Sequence, residues 1–203
     1  MEHKFYYNPN GIDVISNVDR QQFVESNPEL ESFMRKSEIA LRPIDLDDFQ
    51  TLCYWVIGQV ISNSIAHKMI NKLRSENQIT PKIILGIKNL EEYIPYQAKR
   101  KRILNIAQFF IQNQIPNMRS TSSKEVIKYY SQIQGIGPWT VKMLLIYNYG
   151  RLDICAFEDL GVRQGLRILY QLKSVPNIPE ARKLTHSWGN LATLGSLLAW
   201  KML

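Results

Sequence analysis

The stretch Ile133-Gln134-Gly135-Ile136-Gly137-Pro138-Trp139-Thr140 constrains the fold of this chain more than any other. Upstream, Ser122 followed by Glu125 is a capping-box start, and Val126, Ile127, Tyr130 and Ile133 then recur at helical spacing. Gly135 stops that helix, because glycine tolerates a positive φ. Pro138 opens the next, since proline at the first helical position loses no hydrogen bond. Val141, Leu144, Leu145 and then Asn148 or Tyr149 continue a second apolar face. Two helices joined by a tight hairpin are therefore predicted at about 123–149. The two glycines let backbone approach a ligand closely, with N–H groups gathered at a helix N-terminus, a geometry that suits a phosphate oxygen. A helix–helix turn with no ligand accounts for Gly-x-Gly equally well.

A second feature lies downstream in Cys155-Ala156-Phe157-Glu158-Asp159-Leu160-Gly161. Asp159 stands where a helix N-cap is needed, and aspartate is a preferred cap. From local sequence alone, capping outranks catalysis for this carboxylate. Glu158 is predicted to face elsewhere, and Asp153 to brace the loop.

The charge balance fits a polyanionic partner without identifying one: 25 Lys and Arg stand against 18 Asp and Glu, for a net +7. The densest cluster is Lys99-Arg100-Lys101-Arg102, of which one member, Lys99, is taken as a candidate phosphate contact and the rest as a solvated helix face. Cys53 and Cys155 are too few and too far apart for a zinc or iron–sulfur site, and His3, His67 and His186 match no metal spacing. No metal centre is expected, and each cysteine reads as a small buried apolar side chain. No apolar run reaches the roughly 20 residues of a membrane helix. The N-terminal residues lack a signal-peptide core, so an intracellular, cytoplasmic protein is expected.

Hydrophobic residues make up 45% of the chain, enough for a core within one domain or two small lobes. Most of the sequence reads as helix. Asn27 caps a segment carrying Pro28, Leu30, Phe33 and Met34. Asp45 or Asp47 opens a helix with Phe49, Leu52, Cys53 and Val56 on one face and Gly58 at its end. Ser62 caps the next, with Ile65, Ala66, Met69, Ile70 and Leu73. Pro95 precedes a helix carrying Ile103, Ile106, Ala107 and Phe110. Asp159 caps a helix to Tyr170, and a last helix runs from about Ser187 onward. Phe5-Tyr6-Tyr7 and Ile12 to Ile15 are weak strand signals that serve equally as helix starts.

These elements together resemble the helix–hairpin–helix DNA glycosylases with a Gly/Pro-rich loop and a distal aspartate, and within them the 3-methyladenine DNA glycosylase II branch. Besides the hairpin and Asp153 through Val162, the resemblance rests on Phe49-Gln50-Thr51-Leu52, on Ile57-Gly58-Gln59-Val60-Ile61-Ser62, on Ala98-Lys99-Arg100 and on Trp188. It covers roughly Asp19 to Leu203. It implies an all-α fold, residues 1–203 forming a single glycosylase domain of two helical lobes that flank a DNA-binding cleft. Residues 1–18 are then an N-terminal extension too short for the β-domain of some relatives.

The same resemblance implies roles for particular residues. Asp159 becomes the catalytic carboxylate, stabilising positive charge on the deoxyribose as the base departs. Trp139 stands where strand-cutting relatives carry a Schiff-base lysine, and Lys142 lies a helical turn further on, so a monofunctional enzyme is implied. An indole there also suits a cationic N-methylated purine, worth roughly 0.5 to 2 kcal/mol of cation–π attraction. Trp188 and Met143 are carried over as further pocket residues, although Asn190, Leu191 and Ala192 replace the proline, aromatic and arginine usual after Trp188. Val60, or Gln59 beside it, is the wedge that fills the gap left by a flipped base in double-stranded DNA. The amides of Gly135, Gly137 and Val141 grip the backbone. Hairpin carbonyls of Ser131, Ile133 and Ile136 hold a monovalent cation in some relatives; no other cofactor is expected. A monomer without protein partners is expected. Two other functions fit parts of the sequence: a non-catalytic helix–hairpin–helix DNA-binding module, and a glycosylase for a neutral damaged base.

Overall fold

A computed structural model describes Asn8, residues 10–44 and residues 46–203. The weak strand signal at Phe5 to Tyr7 and the alternative helix start at Asp45 lie outside the described residues. Among those described, every regular element is helical: α1 (Asn17–Ser26), α2 (Glu31–Lys36), α3 (Asp48–Gly58), α4 (Asn63–Glu76), α5 (Pro81–Gly86), α6 (Gln97–Gln112), α7 (Ser123–Tyr130), α8 (Pro138–Tyr147), α9 (Leu160–Leu169), α10 (Ile178–Leu184) and α11 (Ala192–Lys201). None is long and apolar enough to cross a membrane. No group of three or more His, Cys, Asp or Glu among the described residues is placed to hold a metal ion.

Four caps follow the sequence, but Asn27 makes no side-chain cap bond: its amide donates to the Phe23 carbonyl and its Oδ1 accepts from Ser187. Side chains of Asp47, Ser62, Ser122 and Asp159 accept the backbone N–H of Gln50, Ile65, Glu125 and Val162, closing the first turns of α3, α4, α7 and α9. Ser122 and Glu125 form the full capping box. Three helices escaped the sequence reading: α1, α5 and α10. The Ile12 to Ile15 stretch is neither strand nor helix; it is extended chain whose Val14 N–H donates to the Leu41 carbonyl at 2.9 Å. The predicted terminal helix is broken, because Gly189 takes φ +49 within a 3-10 segment, His186–Leu191, and α11 starts only after it.

The chain divides into two compact units. One combines the described residues up to Ile44 with those from Leu145 onward, so it is built from two distant pieces of sequence. Its centre is the packing of α9 on α11. Gly165 permits it: a Cβ there would stand 2.0 Å from the Ala199 carbonyl oxygen. The other unit runs continuously to Leu144 and packs α3, α4, α5, α6 and α7 around Leu52, Ile57, Ile84, Ile103 and Val126, all fully buried. Within it Tyr130 stacks on Phe110, ring centroids 5.8 Å apart, and its hydroxyl donates to Asp48 at 2.5 Å. The helix α8 contributes residues to both units; Val141 to Ile146 are all buried, the charged Lys142 among them.

Candidate functional site

The hairpin turn follows from the capped end of α7 and the proline start of α8. Ile133 N–H donates to the Tyr130 carbonyl at 3.1 Å and Ile136 N–H to the Ile133 carbonyl at 3.0 Å, winding the chain through two tight turns. Ile133 and Ile136 are buried beneath it, while Gln134, Gly135, Gly137 and Pro138 are exposed. The two glycines differ in cause. Gly135 has φ +88, and a Cβ there would stand 2.9 Å from Cγ of Arg102. Gly137 has no such constraint, since nothing in the chain lies within 4 Å of where its Cβ would be. The space it leaves open faces outward, where a ligand backbone can approach. Val141, also expected at this grip, has a fully buried side chain and can offer only backbone.

The turn between α3 and α4 carries Gln59 and Val60. Val60 has φ +60 and is fully exposed. A β-branched residue in the left-handed region is strained by about 1–3 kcal/mol, and here no burial of its methyl groups offsets that strain. Gln59 does not project with it. Its amide donates to Thr140 Oγ1 at 2.9 Å, and its Oε1 accepts from the Arg102 guanidinium at 2.8 Å. Of the two wedge candidates, only Val60 points into solvent.

Lys99 departs from the expectation of a phosphate contact. It is 8% exposed, and its ammonium donates to the carbonyls of Val56 (3.1 Å), Ile57 (2.7 Å) and Gln59. Those are carbonyls at the C-terminal end of α3 and just past it, which a helix leaves without intrahelical partners. The physical reason for the difference is reach: the four-carbon stem turns inward to a helix end rich in carbonyl charge. Burial and the adjacent Arg102 guanidinium pull its pKa down from 10.5 to about 8.

Trp139 opens α8 half-exposed, set edge-to-face against the buried Trp55 with centroids 5.9 Å apart and planes at 89°. That contact fixes the plane of the indole. Met143, one turn on, is fully buried in the core.

In the other unit, Asp159 is half-buried at the N-cap of α9. Its Oδ1 accepts two hydrogen bonds, from Val162 N–H at 3.2 Å and from the Trp200 indole N–H at 3.2 Å. The loop leading to it is tied to α11. Thr193 Oγ1 donates to the Arg151 carbonyl at 2.8 Å and accepts from Ile154 N–H at 3.1 Å; Ser196 Oγ accepts from Ala156 N–H at 3.2 Å. Thr193, Ser196 and Trp200 thus line one face of α11 at helical spacing and hold the carboxylate-bearing loop from Arg151 to Asp159. The Tyr147 ring sits 6.3 Å from that of Trp200, and burial together with the Asp159 carboxylate pushes its phenol pKa far up. Arg182 caps the same loop from another side, its guanidinium 4.6 Å from the Phe157 ring centroid. Asp153 is exposed and Glu158 half-buried.

Trp188 is a core residue. It is 2% exposed, packs against Phe23 at 6.1 Å, donates its indole N–H to the Tyr170 hydroxyl at 3.1 Å, and lies where a Cβ on Gly195 would come within 2.3 Å. The reason is the kink at Gly189, which turns the segment so that the indole lies flat on α11. The tryptophan that meets Asp159 is Trp200, which sequence reasoning passed over. Its signal was faint: an indole at helical spacing from the polar Thr193 and Ser196 on a mostly apolar helix.

No family model matches the sequence. DNA-3-methyladenine glycosylase 1 of Schizosaccharomyces pombe is 34% identical over 164 residues, spanning 76% of this chain and 72% of its own. The alkylbase DNA glycosidase-like protein mag2 of the same yeast is 26% identical over 152 residues, spanning 72% and 71%. The solved structure of the S. pombe 3-methyladenine DNA glycosylase in complex with abasic DNA superposes with a TM-score of 0.81 at 23% identity, covering 91% of this chain and 96% of that one. With its fold shared and a third of its residues matched over most of both sequences, the chain belongs to the DNA-3-methyladenine glycosylase family of the helix–hairpin–helix superfamily.

Proposed function

We propose that this protein is a monofunctional DNA glycosylase that removes N-methylated, cationic purines from double-stranded DNA by flipping the base and hydrolysing its glycosidic bond. The observation that carries the reading is the held carboxylate: Asp159 is oriented through Oδ1 by a backbone N–H and an indole N–H, on a loop braced by Thr193 and Ser196. A capping role alone requires the Val162 bond and gives no reason for an indole donor on the same oxygen. Methylation at a ring nitrogen already weakens the glycosidic bond, so a fixed negative charge beside the developing oxocarbenium ion is the main catalytic contribution required. The S. pombe relative, a DNA-3-methyladenine glycosylase by name, supports the substrate class.

The remaining parts follow the same chemistry. The hairpin amides at Gly135 and Gly137 take a phosphate of the damaged strand. Val60, strained and exposed, enters the space the extruded base leaves. Trp139, fixed by Trp55, stacks on the cationic ring. With an indole where a Schiff base would need an amine, the sugar stays free and the product is an abasic site. The carbonyls of Ser131, Ile133 and Ile136 are an all-oxygen set of the kind a hard monovalent cation takes, and such an ion would add positive charge behind the strand-binding turn.

The test is base release from methylated duplex DNA in single turnover, wild type against Asp159→Asn. Asparagine keeps the cap acceptor and removes the charge, so stability and DNA binding should hold while the rate falls at least a hundredfold. Release of 3-methyladenine or 7-methylguanine with the strand intact until alkali is added is the expected wild-type result. Release only of neutral lesions, or tight binding with no release of any base, would overturn the reading.

A further inference from the structure

Three residues of α6, spaced by three, reach two different turns of the same unit. Lys99 donates to the carbonyls of Val56, Ile57 and Gln59, at the base of the wedge turn. Arg102 donates to Gln59 Oε1 at 2.8 Å, and Gln59 passes the connection to Thr140, the buried third residue of α8. Asn105 donates its amide to the Gln134 carbonyl at 2.9 Å, within the hairpin turn. The Arg102 stem meanwhile lies against Gly135, close enough that any Cβ there would collide with it. One helix face therefore ties the turn that bears Val60 to the turn that bears Gly135 and Gly137.

This arrangement is more than the two turns require. Gln59 would satisfy its amide in water, and the hairpin holds its own backbone bonds at Ile133 and Ile136. What the connection adds is a fixed spacing between the exposed valine and the exposed glycines. Val60 sits in a backbone state that a valine avoids, and such a state persists only when its surroundings over-determine it.

We propose that Arg102, with Gln59 as intermediary and Lys99 beneath, is a positioning residue that couples the phosphate-gripping hairpin to the wedge, so that strand binding sets the wedge for base extrusion. The proposal rests on the glycosylase reading for the identity of the two turns, and it acts through Val60 and not through the reacting atoms.

The experiment pairs Arg102→Met, which keeps the stem against Gly135 and removes the guanidinium, with Val60→Gly, singly and together. Two signals are read. One is single-turnover release of a methylated purine; the other is the fluorescence of 2-aminopurine flanking an abasic site in a duplex, which reports the filled gap without any base being cut. Arg102→Met is expected to lower both at least tenfold as an extrusion defect, while affinity for undamaged duplex changes less than twofold. In the Val60→Gly background the same substitution should change either signal less than twofold, because the wedge it positions is gone. Arg102→Lys, which restores a donor toward Gln59, should recover part of the fluorescence signal. If Arg102→Met weakens binding to undamaged duplex as much as it lowers the two signals, Arg102 is a phosphate contact and the proposal is overturned; full additivity with Val60→Gly overturns it equally. Should the wild type release no methylpurine yet show the fluorescence change and its loss in both single variants, the substrate assignment fails and the coupling stands.

Discussion

Asp159 and Trp200 form the residue pair on which the proposed chemistry depends, joined by one indole hydrogen bond to Oδ1. Trp200→Phe keeps an aromatic ring beside Tyr147 but loses the N–H donor to Oδ1 together with part of the buried ring volume, so its stability is measured alongside its rate. A hydrogen bond to a charged acceptor contributes about 1.5–3 kcal/mol, and a barrier change of about 1.4 kcal/mol is tenfold in rate. Single-turnover excision should fall at least tenfold with DNA affinity unchanged; an unaltered rate would show that the indole merely fills space. Lys99 makes a second residue-scale prediction through its proton. Its folded pKa of about 8 lies below the ordinary 10.5, so between those values the native state has released a proton that the unfolded chain still binds. Stability therefore rises with pH across about 8 to 10.5. Below that window both states are protonated and this contribution is flat. Lys99→Met should be less stable throughout, since three carbonyls lose their donor, and denaturant titrations at several pH values should show its deficit widening from pH 8 upward. A deficit that stays constant or narrows would contradict the burial-driven shift.

Among the elements, α9 and α11 carry the greatest leverage, because Asp159 caps the first and Trp200 lies on the second. Gly165 sets their separation. A methyl group added there meets the Ala199 carbonyl oxygen and carbon, at 2.0 and 2.5 Å, and backbone cannot rotate aside. Gly165→Ala is expected to cost about 3 kcal/mol by overpacking, read from urea denaturation, and to lower excision by parting the indole from the carboxylate. Unchanged stability would mean that the helices slide at no cost, against the packing described. This dependence was invisible beforehand. A glycine inside a helix reads as a weak point, and only the partner helix reveals that it is a point of contact. The elements that the sequence did reveal have strong local punctuation, Ser62 and Ser122 as caps and Pro138 at a first turn, whereas the stop expected at Gly135 falls earlier, α7 ending at Tyr130 with Ser131 as its C-cap. Those it concealed, α1, α5 and α10, have caps at Ser16, Thr80 and Asn177 that precede no long apolar run.

Taken as a whole molecule, the fold class and the hairpin were legible because helical periodicity and turn chemistry are local properties. The candidate site was legible only where a residue's role is also local. Asp159 and Val60 stand at a cap and in a turn, and the structure leaves both where those positions imply. Trp188 and Lys99 went astray because their fate depends on partners far along the chain, Phe23 and Gly195 for one, the end of α3 for the other. The same distinction governs how the protein comes into being. The unit holding Val60 and the hairpin turn is uninterrupted in sequence, so all of it is synthesised before Leu145. The other unit begins earlier yet cannot close: Phe23 waits for Trp188, Asn27 for Ser187, and α9 for α11. One unbroken stretch of sequence therefore supplies the half with the hairpin, whereas the loop bearing Asp159 has its anchors, Thr193, Ser196 and Trp200, only once α11 exists.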